Sequence, residues 1–424
     1  MGSIFALCDC NNFYVSCERV FNARLYGRAV VVLSNNDGCI VARSEEAKAL
    51  GIRMGVPLFQ VQHLVDAYDV QVFSSNYALY GDISSRVMSV LGDFTPEVEV
   101  YSIDEAFMRL EYRTAHEESL TDFGRRIRET VYKWTGIPLS IGMAETKTLA
   151  KLANQLAKRS LKAGGVLDLT RSPYQDYALE CTPVEKVWGI GRQYTRLLQS
   201  RGITTARQLR DADIRWVRKA LTVAGARIVE ELRGTSCLPL ESCPPPKKSM
   251  TCSRSFAQSV EQLSDLRESV ASFTIKIAER LRRNGLAAGA LTVFVATNRF
   301  AKDAPYYTNA ITIEMAYPTD STPEMLERAM SCAEKLYREG YKFKSAGVML
   351  TALVPASPLT IRMYDDEKWQ KTRRAMQAID HINGRMGRDA IGFGIAGCKQ
   401  KWRTKFERRS QRFTTNWDEL LAVG

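Results

Sequence analysis

Histidine is nearly absent from this 424-residue chain, which has only His63, His116 and His381, none of them beside a cysteine. The ten cysteines are scattered and form no C-x-x-C pair, so neither a zinc site nor a disulfide framework is expected. Long apolar runs are also missing. The stretch Ile4 to Cys8 ends at Asp9, no segment reaches the roughly 18 apolar residues of a membrane span, and nothing at the N-terminus reads as a signal peptide. These absences point to a reducing, cytoplasmic setting away from the membrane. Glycine (27) and proline (14) are too few for a collagenous or low-complexity chain, and 45% hydrophobic residues exclude wholesale disorder.

What is abundant is positive charge. Lys and Arg number 59 against 47 Asp and Glu, a net +12 that favours a polyanionic partner, nucleic acid first. The charge is unevenly placed: residues 1–110 hold 8 basic and 13 acidic residues, and the rest holds 51 and 34. An acidic front and a basic body suit metal-binding carboxylates ahead of a grip on polyphosphate, though ordinary surface variation produces the same asymmetry. The length accommodates about two to four domains.

Along the chain, Ile4 to Asp9 reads as a buried strand ending on a carboxylate, followed by a helix with Phe13, Cys17, Val20 and Phe21 at helical spacing. Ala29 to Leu33 is a second strand that runs into the Asn35-Asn36-Asp37-Gly38 turn. Val98 to Ser102 and Ala106 to Leu110 read as a hairpin with Asp104 and Glu105 at or beside its tip. An amphipathic helix around Phe123, Ile127, Val131 and Trp134 precedes a strand at Leu139 to Met143. The next helix has Leu149, Leu152, Ala153 and Leu156 as its apolar stripe and leaves Lys147, Lys151 and Lys158 for charge work. From Pro183 the pattern is helical until the Pro244-Pro245-Pro246 connector. Beyond it comes a β-α-β-β-α-β order, a second small α+β domain, and then from about Pro358 a basic tail in which seven Lys and Arg between Lys399 and Arg412 face only Glu407.

Three carboxylates stand out: Asp9, Asp104 and Glu105. Acids at neighbouring strand ends can converge on a pair of divalent cations, yet an Asp-Glu dipeptide arises about once by chance in a chain this long, so Asp104-Glu105 taken alone is a solvated turn. The surrounding residues change that reading. Cys8-Asp9-Cys10-Asn11-Asn12-Phe13-Tyr14 together with Tyr101-Ser102-Ile103-Asp104-Glu105-Ala106-Phe107 strongly resembles the paired palm motifs of Y-family translesion DNA polymerases. Val31 to Cys39, Phe73-Ser74-Ser75-Asn76-Tyr77, Lys147 to Asn154 and Val187-Trp188-Gly189-Ile190-Gly191 add to the resemblance, which looks most like the bacterial UmuC branch, the catalytic subunit type of DNA polymerase V. It runs nearly continuously from Phe5 to about Leu353.

The resemblance implies an α+β multidomain, right-hand Y-family polymerase: a ferredoxin-like palm (1–22 and 79–168), small inserted fingers (23–78), a helical thumb with a helix-hairpin-helix (169–242), an α+β little finger (243–356) and a basic C-terminal tail for partner binding (357–424). It implies error-prone translesion synthesis with two Mg²⁺ ions held by Asp9, Asp104, Glu105 and the backbone carbonyl of Cys10. Tyr14 falls at the steric-gate position, where a ring beneath the incoming sugar clashes with a 2′-hydroxyl. Lys158 and Lys48 match triphosphate-contacting positions, and Gly189 and Gly191 match backbone contacts to DNA phosphate. Glu45 stands where other branches carry a triphosphate-contacting Tyr, a departure that touches the fingers contacts.

The implied partners are primer-template DNA, dNTP, a dimer of processed UmuD, the RecA filament and a sliding clamp. The clamp interaction is expected to be weak, because Thr360-Ile361-Arg362-Met363-Tyr364 lacks the initial Gln of a clamp-binding peptide. Two readings from other classes remain open in the residues. A nucleotide cyclase shares a palm with paired acids, and a DNA-bound scaffold shares the fold without turnover.

Overall fold

Strand β1 (Ile4–Cys10) is buried along its whole length. Its period of two sends Ile4, Ala6 and Cys8 into one core cluster and Phe5 and Leu7 into another. Asp9 is next in the second series. A strand with apolar neighbours on both faces must lie inside a covered sheet, and β1 is the central strand of one.

The computed structural model describes residues 3–421 apart from 111–117, 242, 244, 302–303, 357–365, 388–389, 398–401 and 403–404. The expected clamp-binding stretch Thr360–Tyr364 lies outside the described residues. The chain forms two compact units: Met1–Ser34, Gly38–Pro244 and Arg408–Gly424 make the first, and Asn35–Asp37 with Pro245–Glu407 make the second.

In the first unit β1 is followed by α1 (Phe13–Phe21), β2 (Val30–Leu33), β3 (Ile40–Arg43), α2 (Glu45–Ala49), α3 (Gln62–Ala67), β4 (Gln71–Ser74) and α4 (Tyr77–Gly92). Then come β5 (Val98–Val100), β6 (Glu105–Leu110), α5 (Leu120–Thr135), β7 (Leu139–Ala144), α6 (Lys147–Ala157) and β8 (Val166–Asp168). The remaining helices are α7 (Gln175–Glu180), α8 (Arg192–Gln199), α9 (Ala206–Arg210) and α10 (Ile214–Leu232). The main sheet has the order β5-β6-β1-β7-β8, with β1 antiparallel to both neighbours, a ferredoxin-like arrangement. Helices α4 and α5 supply Ile83, Val87, Phe123 and Ile127 to one face. On the other face Phe5, Leu7 and Phe107 meet Leu149 and Ala153 of α6 and the apolar side chains of α7 to α10.

Helix α6 can lie close to the sheet because position 142 is glycine. A Cβ there would fall 2.1 Å from the Asn154 backbone nitrogen. At the same contact Asn154 Nδ2 donates to the Leu7 carbonyl (3.3 Å) and the Ser140 carbonyl (2.7 Å), which satisfies a buried amide and keys the helix to two strands. A three-stranded sheet, β3-β2-β4, has its own core of Val31, Leu33, Ile40, Ala47, Ile52 and Val65.

The second unit runs β9 (Met250–Val260), α11 (Leu263–Arg283), β10 (Leu286–Thr297), β11 (Thr308–Thr319), α12 (Thr322–Leu336) and β12 (Phe343–Pro355), the β-α-β-β-α-β order legible in the sequence. The sheet order is β11-β10-β12-β9, all antiparallel. Leu291, Val293 and Val295 of β10, with Ala346, Val348 and Leu350 of β12, face α11 and α12.

The stretch read as a basic tail is more structured than its charge suggests. Helix α13 (Asp366–Met386) contributes Asp380, whose carboxylate takes a two-pronged ion pair from Arg282 (2.7 and 2.8 Å). Trp402 is buried against Phe256 and Phe273 in the core of the second unit. A run of basic residues masks these anchors because single aromatic residues at wide spacing produce no periodic signal.

Candidate active site

Antiparallel register sets Asp9 at the end of β1 directly opposite Glu105 at the start of β6. Residues paired this way point to the same face of the sheet. Asp104 precedes Glu105 in the tight turn between β5 and β6. The Ser102 hydroxyl holds that turn by accepting from the backbone N–H of Asp104 (3.2 Å) and Glu105 (3.0 Å) and donating to Asp104 Oδ1 (2.6 Å). The Cys10 N–H donates to the Asp104 carbonyl at 2.8 Å, tying the tip of the hairpin to the end of β1. Because the Cys10 side chain is buried, only its backbone is offered to a ligand.

Facing these acids is one side of α6. Lys147, Lys151 and Lys158 recur at intervals of four and seven residues, which puts them on one stripe of a helix. They pair in order with acids on three adjacent strands: Lys147 with Glu99 of β5, Lys151 with Glu105 of β6 (2.8 Å), and Lys158 with Asp9 of β1 (2.6 Å). Asp104 takes part in no ion pair among the described residues. Burial pushes the Asp9 carboxyl up to about 7, the Glu105 carboxylate adds to that, and Lys158 opposes it. A partly buried carboxylate crowded by another one is poised to accept a further cation.

As the side chains stand, no three carboxylate, histidine or cysteine groups among the described residues converge as a metal site. The two lysines hold Asp9 and Glu105 in their place. The donor set itself fits a hard divalent cation: three carboxylates and a backbone carbonyl, all oxygen, on two adjoining strand ends.

Tyr14 is the second residue of α1, after Asn12 has taken the left-handed conformation (φ 48°, ψ 43°) that a short polar side chain tolerates. The half-buried Tyr14 ring stacks on Tyr80 with centroids 4.4 Å apart and planes at 15°, and meets the edge of Tyr77 at 6.1 Å. Burial raises the Tyr14 phenol to about 12. Phe13, by contrast, is a core residue. Lys48 comes from the small sheet region and reaches the start of α1. Its ammonium donates to Asn12 Oδ1 (2.7 Å) and Glu45 Oε1 (2.6 Å), and Asn12 Nδ2 donates to the same Glu45 oxygen (3.0 Å). Glu45, the departure noted in the sequence, is therefore the partner that holds Lys48 beside Asn12.

Gly189 and Gly191 stand apart from this cluster, in the link before α8. Gly189 has φ +87°, a left-handed conformation that favours glycine, and a Cβ there would also press on the end of the Ile228 side chain. Gly191 begins α8 with open space around its Cα. The Ile190 N–H is already used by the Val187 carbonyl.

Two contributors carried little signal of their own. Trp188 packs its ring against Tyr101 (5.6 Å) and Phe107 (5.8 Å), and its indole N–H donates to the Tyr101 hydroxyl at 3.3 Å. The Lys151 ammonium sits over both Tyr101 (4.6 Å) and Trp188 (5.3 Å), an aromatic cradle for the cation that pairs with Glu105. All three residues lie in stretches that carry the resemblance, but Trp188 is far from the acids in sequence, so nothing in the string joined it to Tyr101 and Lys151 as a cradle.

Comparison with solved structures identifies the fold. A Y-family DNA polymerase chimera, Dbh-Dpo4(243-245)-Dbh, aligns over 83% of this chain and 99% of its own with a TM-score of 0.67 at 18% identity. A Dbh ternary complex aligns over 82% and 98% with a TM-score of 0.56. The architecture is that of a Y-family DNA polymerase. Family models described as impB/mucB/samB family and its C-terminal domain match residues 8–155 and 247–363, and a domain of unknown function, DUF4113, matches 373–423. Protein UmuC of Salmonella typhimurium is 42% identical over 99% of this chain and 100% of that protein, and Protein SamB of the same species is 40% identical over 99% of each. DNA polymerase IV of Desulfatibacillum aliphaticivorans is 28% identical over 90% of this chain. The chain belongs to the impB/mucB/samB family, as a homologue of UmuC-type Y-family DNA polymerases.

Proposed function

We propose that this chain is an error-prone translesion DNA polymerase that adds dNTPs to a primer 3′ end opposite damaged template, working in SOS mutagenesis. The observation that carries the reading is the register pair Asp9 and Glu105, with Asp104 alongside and a lysine stripe opposite. In this reading the palm spans 1–22 and 79–168, the fingers 23–78, the thumb 169–242, the little finger 243–356 and the partner-binding tail 357–424.

Asp9, Asp104, Glu105 and the Cys10 carbonyl would hold two Mg²⁺ ions. When bound, these supply acidification of the primer hydroxyl and neutralisation of the leaving pyrophosphate. The protein groups do the rest. Lys158 leaves Asp9 and turns to the triphosphate, where positive charge stabilises the transition state. Lys48 reaches the same ligand from the fingers side, with Glu45 setting its position. Tyr14, held flat against Tyr80, presents its ring to the sugar and excludes a 2′-hydroxyl. Gly189 and Gly191 bring backbone close to a DNA phosphate without reading sequence.

The partners are primer-template DNA, a dimer of processed UmuD, the RecA filament and, weakly, a sliding clamp, in the cytoplasm and at the nucleoid when engaged. No helix among the described residues is long and apolar enough to cross a membrane.

The test is primer extension across a template abasic site with Mg²⁺ and dNTPs, comparing wild type with the Asp104→Ala, Glu105→Ala double variant, each with and without processed UmuD and RecA filament. Extension by wild type and a loss of at least about 10³-fold in the variant is expected, with DNA binding unchanged. Equal extension by the two fully assembled proteins overturns the reading in favour of a scaffold.

A further inference from the structure

The C-terminal segment that begins at Arg408 returns to the first unit, where it touches the two helices that hold Tyr14. The contacts are specific. Arg408 N–H donates to Ser74 Oγ (2.9 Å), and Ser74 N–H returns a bond to the Arg408 carbonyl (3.0 Å). Asn76, 1% exposed, donates from Nδ2 to the Ser410 carbonyl (3.2 Å), the Ser410 hydroxyl (3.0 Å) and the Gln411 carbonyl (3.0 Å). Its Oδ1 meanwhile accepts from the Leu79 N–H and caps α4. Phe413 stacks on Phe21 at the end of α1, with centroids 4.6 Å apart and planes at 10°.

Between these anchors is Glu18, one turn after Tyr14 on α1 and 2% exposed. A single carboxylate oxygen, Oε1, accepts from the Tyr80 hydroxyl (2.6 Å) and the Ser410 hydroxyl (3.0 Å). Tyr80 is the ring on which Tyr14 lies. A buried carboxylate with fixed donors has one orientation, and losing a donor costs it more than an exposed group would lose. The chain of contact is continuous: Ser410 to Glu18, Glu18 to Tyr80, Tyr80 to Tyr14.

We propose that residues 408–413 are a positioning element for sugar selection, fixing the Tyr80 floor beneath Tyr14 through Ser410 and Glu18 and clamping the start of α4 to α1. The inference rests on the reading of Tyr14 as the residue that meets the incoming sugar. It gives a role to part of the region matched only by a domain of unknown function. Without the Ser410 donor the Glu18 carboxylate is free to turn, the Tyr80 ring tilts with it, and the Tyr14 ring yields to a 2′-hydroxyl it would otherwise block.

The experiment measures insertion of a dNTP and of the matching rNTP opposite an undamaged template base, using the full-length chain with the partner proteins of the extension assay. The readout is the ratio of the two kcat/KM values. That ratio cancels any loss of folded enzyme, so a merely structural role does not move it. Ser410→Ala and Phe413→Ala are each expected to lower the ratio by about threefold to tenfold, the size of one or two weak contacts. Ser410→Thr, which keeps the hydroxyl, restores it, and the exposed Thr415→Ala leaves it at the wild-type value. Tyr14→Ala is the reference arm, expected to lower the ratio by about tenfold to hundredfold. If Tyr14→Ala lowers the ratio while Ser410→Ala and Phe413→Ala do not, the positioning role is overturned and the reading of Tyr14 stands. If Tyr14→Ala leaves the ratio unchanged, that reading fails and the inference falls with it.

Discussion

Each unit contains a sheet, mixed in the first and antiparallel in the second, with a pair of helices on one face, but the two sheets treat their second face in opposite ways. In the first unit that face is covered by α6 to α10, and charged and polar groups are held beneath the cover: Asp9, Lys147 and Asn154 are all buried and all have partners. In the second unit Thr251, Ser253, Phe294, Thr312, Ser345 and Met349 point away from α11 and α12 and lie outside the core cluster. They are small, neutral or hydroxylic, and none is fully buried. Chemistry on charge needs the first arrangement, because an ion pair kept from water holds its geometry and its strength. A grip on a polyanion without reading its sequence needs only the second: a broad surface of mostly neutral and hydroxyl side chains, which also carries Glu314 on the edge strand β11.

The sharpest way to break this comparison is at Lys158. Lys158→Ala removes the Asp9 partner and the proposed triphosphate contact together, and single-turnover insertion should slow by about 10²-fold with the primer-template Kd unchanged. An equal loss of DNA affinity would show that the lysine stripe belongs to the grip and not to the chemistry. A smaller effect is expected on the second sheet. Thr251→Glu puts a carboxylate on its exposed edge strand and should weaken primer-template binding by about tenfold at low salt, less at high salt, while insertion at saturating DNA is unaltered. Fluorescence anisotropy over a salt series checks it, and an unchanged Kd would mean that this face does not meet the duplex.

The smallest expected effect concerns pH. Burial holds the Glu18 carboxyl above its ordinary value, against the opposing hydrogen bonds from Tyr80 and Ser410. The folded state thus keeps the Glu18 proton where the unfolded chain has released it. Stability from this group is present in acid and is lost as pH rises from the ordinary carboxylate value through the raised one. Glu18→Gln, which cannot ionise, should flatten that fall, so its Tm relative to wild type climbs over that window. A Tm difference independent of pH would mean that Glu18 titrates normally.

Much of the first unit was legible in the residues. The alternation of β1, the hairpin around Asp104 and Glu105, and the lysine spacing of α6 are local patterns, and local patterns survive in a one-dimensional string. The β-α-β-β-α-β order of the second unit was legible for the same reason. What was hidden depends on contacts between distant residues. Trp188 meets Tyr101 across 87 positions, Ser410 meets Glu18 across 392, and Trp402 reaches a core built from Phe256 and Phe273. Charge alone did not sort the arginines at the end of α11: Arg282 is occupied by Asp380, the Asp320 carbonyl and Thr322.

The amino-acid order by itself determined which residue types were available and which faces of their own strand or helix they occupy, because the periods of two and 3.6 are properties of the backbone. It put Asp9 on the same face as Phe5 and Leu7, and Lys147, Lys151 and Lys158 on one stripe. Tertiary structure alone decided which acid faces which lysine, that Tyr14 rests on Tyr80, and that the C-terminal segment closes over Glu18. Those outcomes depend on strand register and on packing between elements far apart in the chain, where a shift of one residue would turn each side chain to the opposite face.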